Sequence, residues 1–592
     1  YGTVKLDNSS SFDNSGTDFV GYGGFGLLEV LGASEFTTGG LVVAGGVGSM
    51  GTVSVEGAGS TVTGSGDMII GGGGLASFSI AGGGVVISQG KTVIGNLGSS
   101  DGSGLRIDGT GSVLETQGTL VVGNEGAATM AVGTAATVTS GAVTIGRHSI
   151  AVVDVTGGGT QWTTGDLQIG GDASDPVGMA GYGTLNVKTG GAVDSASARL
   201  GNAAGATGNV GVDGSGSVWT VGSGSLGVGV NGTGRLTITG GGLVEAVDTV
   251  LGVNAGGVGS ASISGSGSAL RNSGNLHVGN AGEGSLQIDA GGSVDSDTGY
   301  VATLSGSRSS VIVDGGGSSW TVAKTLFVGY QNDAEGEVVV STGGGIEARQ
   351  ITLGELAGSS GTMTIEGTGS NVTVSVDNNL AGSGSMNIGR SGSGSVTVFN
   401  GASLNANQLF LGAEAGSDGA LQVVGAGSHA EIGNALVIGK SGSGMVEVTG
   451  GGSLAATTIV IASAAGSTGV LNIGAAAGQT ARSAGEVEAN AIAFGSGNGS
   501  IVLNHSESDY ELSADISGAG RINAENGVTT LSGNNSYSGG TVISAGTLKG
   551  TASSFGSGEI ANNAQLIVDG AGRLSNVISG SGSFEKTGTG NR

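Results

Sequence analysis

The sequence predicts an all-β solenoid: a right-handed parallel β-helix built as a single elongated rod, with about 25 residues per rung. Three observations carry that expectation. Glycine fills 132 of 592 positions while proline occurs once. Short runs of Val, Leu and Ile alternate with polar residues along most of the chain. The same phrases also return at a fixed interval, and self-similarity of that kind overrides the usual inference of domain number from length.

So much glycine points to collagen, to low-complexity disorder, or to a fold whose corners need positive φ again and again. No glycine recurs at every third position, which removes collagen. Hydrophobic residues make up 37% of the chain and lie in ordered alternation, which opposes disorder. Repeated tight turns remain. The 19 basic residues stand against 45 acidic ones, a formal charge of −26, which argues against nucleic acid or an anionic membrane as partner. With no cysteine, disulfides and thiolate chemistry are both absent, and such a chain suits unfolded passage through an oxidising compartment. No apolar run is long enough for a membrane-spanning helix. The chain opens at Tyr1 and stops at Arg592 inside what reads as a repeat, so a processed or excised fragment is expected.

Two related half-units alternate. One reads GNVGVDGSGSVWTVGSGSLGVG from Gly208 to Gly229, and its partner reads GRLTITGGGLVEAVDTVLG from Gly234 to Gly252. Aligning the first places Val62, Leu114, Trp162, Trp219, Leu270, Trp320, Val372 and Ala430 at one position, a period of about 52 residues or two rungs of about 25. In the second, Leu185 and Val187, Leu236 and Ile238, Leu286 and Ile288, Val338 and Val340, Val396 and Val398, and Val446 and Val448 take alternate places. Asn186, Thr237, Gln287, Val339, Thr397 and Glu447 sit between them and are expected to face outward.

One half-unit, read as three short strands, cannot offset the ordering of its own residues, at about 1 to 2 kcal/mol each. Stacking supplies what is missing, because each strand then bonds its equivalents above and below and like side chains form interior ladders. Helix is opposed by propensity and by the lack of 3.6-residue periodicity. A left-handed hexapeptide coil needs a shorter turn than this spacing allows, and the handedness of parallel crossovers favours the right-handed form. About 23 rungs at about 4.8 Å would make a rod of roughly 110 Å.

Three segments are expected. Residues 1–50 hold Phe12, Phe19, Phe25 and Phe36 without a clean period and read as an N-terminal cap or irregular first rungs; 51–468 form the regular array; 469–592 are a looser C-terminal region with a polar stretch at 504–511. In that last segment, ISGAG (516–520) followed by TTLSGNNSYSGGTVISAGTLKG (529–550) resembles the passenger-associated transport repeat of autotransporters, the proteins of type V secretion. A second copy opens at ISGSGSFEKTGTG (578–590). The GSxWTV and xGxLxVxxGGxV phrases of the array are similar to the strand repeats of large autotransporter adhesins. The resemblance implies an N-terminal export signal, a passenger of this kind, a C-terminal outer-membrane β-barrel, and a role for the transport repeat in secretion and folding.

Chemistry is sparse. His148, His277, His429 and His505 show no ligand spacing and read as surface residues, His277 in an outward column with Gln168, Phe327 and Asn387. No metal or other cofactor is expected. A β-helix polysaccharide lyase or hydrolase needs clustered carboxylates with calcium or a basic residue, and the carboxylates here are scattered. Neither a GDSGS protease phrase, an RGD tripeptide nor a GGxGxD calcium nonapeptide occurs. The three Trp share a column with Val, Leu and Ala and read as interior. Stretches that lengthen the period should emerge as loops on one side and offer candidate binding residues: Asp175, Pro176 and Tyr182 in 172–182, Tyr330 and Asp333 in 330–335, and Asn378 in 376–384. The expected function is a non-enzymatic adhesin at the bacterial cell surface, bound to a host-cell, matrix or surface ligand, with a self-associating structural rod and a β-helix polysaccharide lyase or hydrolase as the alternatives.

Overall fold

A computed structural model describes residues 2–174 and 180–588, so Asp175 and Pro176 lie outside the described residues. Among the described residues the structure is all-β apart from one short 3-10 turn at Gly98–Ser100, and the chain divides into two compact units, Tyr1–Asp297 and Thr298–Arg592. That division falls inside the regular repeat array.

In the first unit, one sheet runs from Gly2–Leu6 to Glu283–Asp289 and a second from Ser11–Val20 to Ser293–Ser296. A rung gives one strand to the first sheet, such as Thr207–Asp213. It gives the second sheet either two short strands, such as Val218–Val221 and Leu226–Val228, or one long one, such as Ala192–Leu200. Pairing is parallel and each residue meets its equivalent one rung on. Leu185 lies opposite Val210, Val210 opposite Leu236 and Leu236 opposite Ala261. This is the solenoid that the period required.

The residues picked out by the repeat form the inner ladders. Val62, Leu114, Trp162, Trp219 and Leu270 occupy one row of the second sheet, with Val86, Val138, Val193 and Val244 at the rungs between. All nine are 0 or 1% exposed. Large and small side chains therefore alternate along the interior, which lets an indole fill space left by a Val on either side. Both indole N–H groups of this row find a hydroxyl: Trp162 Nε1 donates to Ser140 Oγ at 3.0 Å and Trp219 Nε1 to Ser195 Oγ at 3.1 Å. The Trp are core, as their column predicted.

The GxGS phrase that precedes second-sheet strands such as Thr61–Gly64, Val113–Thr116 and Val218–Val221 has its own reason. Ser217 Oγ donates to Asp213 O at 2.7 Å within its rung and accepts from the Gly190 N–H of the previous rung at 3.0 Å. Ser60, Ser112 and Ser268 repeat the pattern. One buried hydroxyl thus closes the corner and ties it to its neighbour, satisfying backbone groups that the strands do not reach. At the other corner Gly229 has φ +72, and a Cβ there would lie 2.1 Å from Val258 O. Both conformation and space demand glycine. The first two rungs obey the same register: Phe12 lies opposite Phe36 and their rings stack at 4.9 Å.

The second unit continues the design on its own ladders. Trp320, Ile346, Val372, Leu404, Ala430 and Leu454 share one buried row, and Val311, Val338, Met363, Val396, Leu421, Val446 and Leu471 another. The rung then contracts. Ile501 pairs with Ile522, Ile522 with Thr541, Thr541 with Ile560 and Ile560 with Ile578, each step several positions shorter than in the regular array. The saving comes from the second sheet, whose final strand in this unit is Asp515–Gly518, while a third sheet gathers Tyr510–Leu512, Val528–Leu531, Thr547–Thr551, Gln565–Asp569 and Ser583–Lys586. The expected uniform rung therefore does not extend through the C-terminal region.

Candidate functional site

Of the stretches read as insertions, 330–335 is not one. The corner 329–334 separates Ser319–Val328 from Glu335–Ser341 and is as long as the 354–359, 412–417 and 462–467 corners. Tyr330 and Asp333 lie in this ordinary corner; Asp333 is exposed with φ +59. Tyr182 opens the strand Tyr182–Lys188 and is 45% exposed. Asn378 is exposed in a true excursion, 375–384, where the Ser383 hydroxyl donates to Asp377 O at 2.7 Å and accepts from the Asp377 N–H at 2.9 Å. This excursion leaves between Asn371–Val374 and Ser385–Ile388, a different corner from that of 330–335, so the candidate loops do not share one side. A second excursion, 475–485, was not singled out by the sequence. It covers Glu447, whose side chain is only 9% exposed and pairs with Arg482 Nη1 at 3.2 Å, so this residue of an outward column is buried.

The corner of Tyr330 gains its interest from what stands beside it. Tyr300, Phe327, Thr352 and Asn387 form one outward row of the second sheet, continued by Phe410 and Val437. The adjoining corner row, traced by backbone hydrogen bonds, runs Tyr330, Glu355, Arg390. Tyr300 and Phe327 stack at 5.2 Å, and Tyr330 meets them edge-on at 5.4 and 5.0 Å. One rung on, Arg390 Nη1 donates to Glu355 Oε1, and Arg390 Nε lies 3.7 Å from Glu414 Oε1. The Glu355 side chain is 10% exposed and its Oε2 is buried without a hydrogen-bond partner. Burial pushes its carboxyl above the usual range, against the pull of Arg390; burial, then Tyr330 and Glu355, raise the Tyr300 hydroxyl. Further along, Lys440 Nζ sits 4.5 Å over the Phe410 ring. Sequence reading put Phe327 outward and named Tyr330, but missed Tyr300, Glu355 and Arg390. They stand a full rung or more from their partners along the chain and meet only across rungs.

His505 overturns the surface reading of the histidines. Its ring is fully buried, with Nε2 2.7 Å from Thr529 Oγ1, Nδ1 3.3 Å from Glu507 Oε2 and the Tyr510 ring at 5.1 Å. Burial holds its pKa below the ordinary imidazole value, opposed by Glu507. Of the polar 504–511 stretch, Asn504 and His505 turn inside, while Ser506, Ser508, Asp509 and Glu511 stay exposed. His277 faces outward as expected but is half-buried, and burial lowers its pKa as well. Among the described residues no group of three His, Asp or Glu could hold a metal.

Within the contracted rungs one side chain replaces a strand. Asn535 Oδ1 accepts from the Ile516 N–H at 2.8 Å and its Nδ2 donates to Ser554 O at 2.7 Å, joining the rung before to the rung after. Beside it Tyr537 is fully buried, its hydroxyl 2.7 Å from Thr541 Oγ1, and burial pushes its pKa up to about 12. Asn576 Nδ2 also reaches across a rung, donating to Gly558 O at 2.7 Å, but it joins only the rung before. Residues 525–549 match the passenger-associated-transport-repeat. The bridging Asn and buried Tyr are thus the transport repeat's NNSY phrase. The phrase that opens at Ile578 lies one sheet further along the rung than its sequence counterpart at Ile516, pairing with Ile560 in the first sheet.

Over 73 residues, 12% of this chain, the sequence is 40% identical to the adhesin BmaC autotransporter of Brucella suis biovar 1 (strain 1330); the match spans 2% of that protein. Among solved structures, the TibC-catalysed hyper-glycosylated TibA 55–350 fragment aligns over 69% of this chain and all of its own, at 16% identity and a TM-score of 0.32, an overlap too loose to carry an argument. The chain is thereby related in part to autotransporter and adhesin-like proteins, through its transport repeat and one short segment.

Proposed function

We propose that this chain is the passenger of an autotransporter, displayed at the surface of a Gram-negative bacterium, where it acts as an adhesin and carries out no catalytic step. The observation that carries the reading is the transport repeat at 525–549, downstream of a solenoid that spends its buried residues on stacking and keeps a row of aromatic and charged side chains outside. Stacked rungs repeat an outward surface, so weak contacts add along a polymeric ligand by effective concentration. The short likeness to a Brucella adhesin supports the same assignment. Attachment through an outer-membrane β-barrel and a host-cell, matrix or abiotic surface as partner belong to this proposal.

The test is display. Bacteria that present the chain through an outer-membrane barrel should bind host cells or matrix-coated surfaces more than bacteria presenting the barrel alone. Equal adhesion by both defeats the proposal, and clumping of the bacteria without a ligand would favour a self-associating rod.

A further inference from the structure

We infer that the patch of Tyr300, Phe327 and Tyr330 is a platform for neutral saccharides, on which a sugar ring stacks its apolar face while Glu355, Arg390 and Glu414 meet its hydroxyl groups. This names the ligand class of the adhesin reading and rests on that reading for its setting.

The rings are not there for the core. Tyr300 and Phe327 stand on the outward side of the second sheet, where the next positions of the row are Thr352 and Asn387, and Tyr330 stands on the corner beside them. Aromatics are 4% of the chain, yet three meet at this one outward spot. Their centroids are 5.0 to 5.4 Å apart, so the rings fill the space between themselves. A cage for a quaternary ammonium group must enclose its cation among ring faces, and contacting rings leave no such space. What they offer is a platform that stacks an apolar ligand face.

The polar groups beside the platform match a hydroxyl-bearing ligand. The Glu355 side chain is nine-tenths buried and its Oε2 is an acceptor with no donor, an arrangement that costs free energy until a donor arrives. Arg390 is a fork of five N–H donors, which its contacts to Glu355 and Glu414 do not exhaust. A hydroxyl both donates and accepts, so adjacent sugar hydroxyls answer the carboxylate and the guanidinium together. Charge selects further. Two carboxylates flank one guanidinium here, on a chain of formal charge −26, so uronic, sialylated and sulfated sugars are repelled.

The experiment uses the purified chain on an array holding neutral, acidic and sulfated oligosaccharides, followed by calorimetry with the best neutral binder. Neutral sugars should bind, and Tyr300→Ala and Phe327→Ala should weaken binding roughly tenfold or more, as expected when a stacked ring is removed. Glu355→Gln, which keeps shape and changes hydrogen bonding, should weaken it less. Val460→Ala, distant on the same row, should leave it unchanged. Far-ultraviolet dichroism and protease resistance check that each variant keeps its fold. Failure to bind any neutral sugar, preference for acidic sugars, or undiminished binding by Tyr300→Ala and Phe327→Ala would each overturn the inference. If cell adhesion survives while sugar binding is absent, this inference alone fails. If sugar binding is present but displayed cells do not adhere, the adhesin reading fails alone.

Discussion

Replacing Asn535 by alanine removes the side chain that stands in for a strand between three successive rungs. The Ile516 N–H and the Ser554 carbonyl, held at 2.8 and 2.7 Å, lose their partners together. Asn535 is 7% exposed, so water reaches the vacated site poorly. An orphaned buried backbone group costs about 1–3 kcal/mol, and two of them with partial relaxation cost about 2–4 kcal/mol. In a one-dimensional stack the loss stays with the rungs that share the contact. Hydrogen exchange read residue by residue should therefore show the Ile516 amide exchanging roughly 30- to 900-fold faster, while the amides of Val210 and Leu236 in the first unit keep wild-type rates. Asn535→Asp should not rescue the protein: it keeps an acceptor for Ile516 but turns a carboxylate toward the Ser554 carbonyl. Exchange at Ile516 within threefold of wild type in Asn535→Ala would refute the idea that the amide couples the rungs.

Trp219→Ala empties a site that is 0% exposed and removes the donor to Ser195 Oγ, for a cost of about 3–5 kcal/mol that should appear as faster exchange across Val193, Trp219 and Val244; unchanged rates would remove the Trp from the core argument. Gly229→Ala combines φ +72 with a Cβ placed 2.1 Å from Val258 O, so it should lower soluble yield and open the corner to protease, and a wild-type cleavage pattern would contradict the corner geometry. His505 is held below its ordinary pKa by burial, against Glu507, so the unfolded chain takes the proton more readily. Stability is then full above the unfolded value near 6.5 and declines as pH falls below it toward the folded value. Protection factors around 500–530, which correct exchange for its intrinsic pH dependence, should fall between pH 7.5 and 5.5 in the wild type and change less in His505→Gln; equal pH dependence in both would exclude this histidine as the cause.

What could be read from the sequence is what a solenoid writes once per rung. Val62, Leu114, Trp162 and Trp219 declare a row because the same steric condition recurs wherever a second-sheet strand passes the interior, and the structure places them on that row. Alternation at Leu236, Thr237 and Ile238 gives in and out by the same logic. The candidate binding patch carries no such signature. Tyr300, Phe327 and Glu355 each occur once, and only the register brings residues a rung apart into contact. Period counting also misled where it assumed constancy: 330–335 looked inserted because corners of two different lengths were averaged. His505 read as a surface residue because the sequence shows no ligand spacing around it, whereas its burial comes from packing against Thr529, 24 residues on.

The contraction at the C-terminal end changes what holds successive rungs together. In the regular array a lost side chain leaves most of the strand hydrogen bonds of both sheets in place, so the ladder absorbs the defect. From Ile522 onward the shortened steps have no second-sheet strand, and the Asn535 amide carries pairing that strands supply elsewhere. Fewer residues per rung means less backbone entropy to lose for each layer closed, and shorter loops close at lower entropic cost. A short rung is thus easier to form alone but depends on a few specific side chains. That combination suits a segment that folds early and offers its open edge as a template for the longer rungs, with stacking then propagating rung by rung. Such a role would rest on the bridging Asn535 amide and the buried Tyr537 of the NNSY phrase rather than on any exposed chemistry.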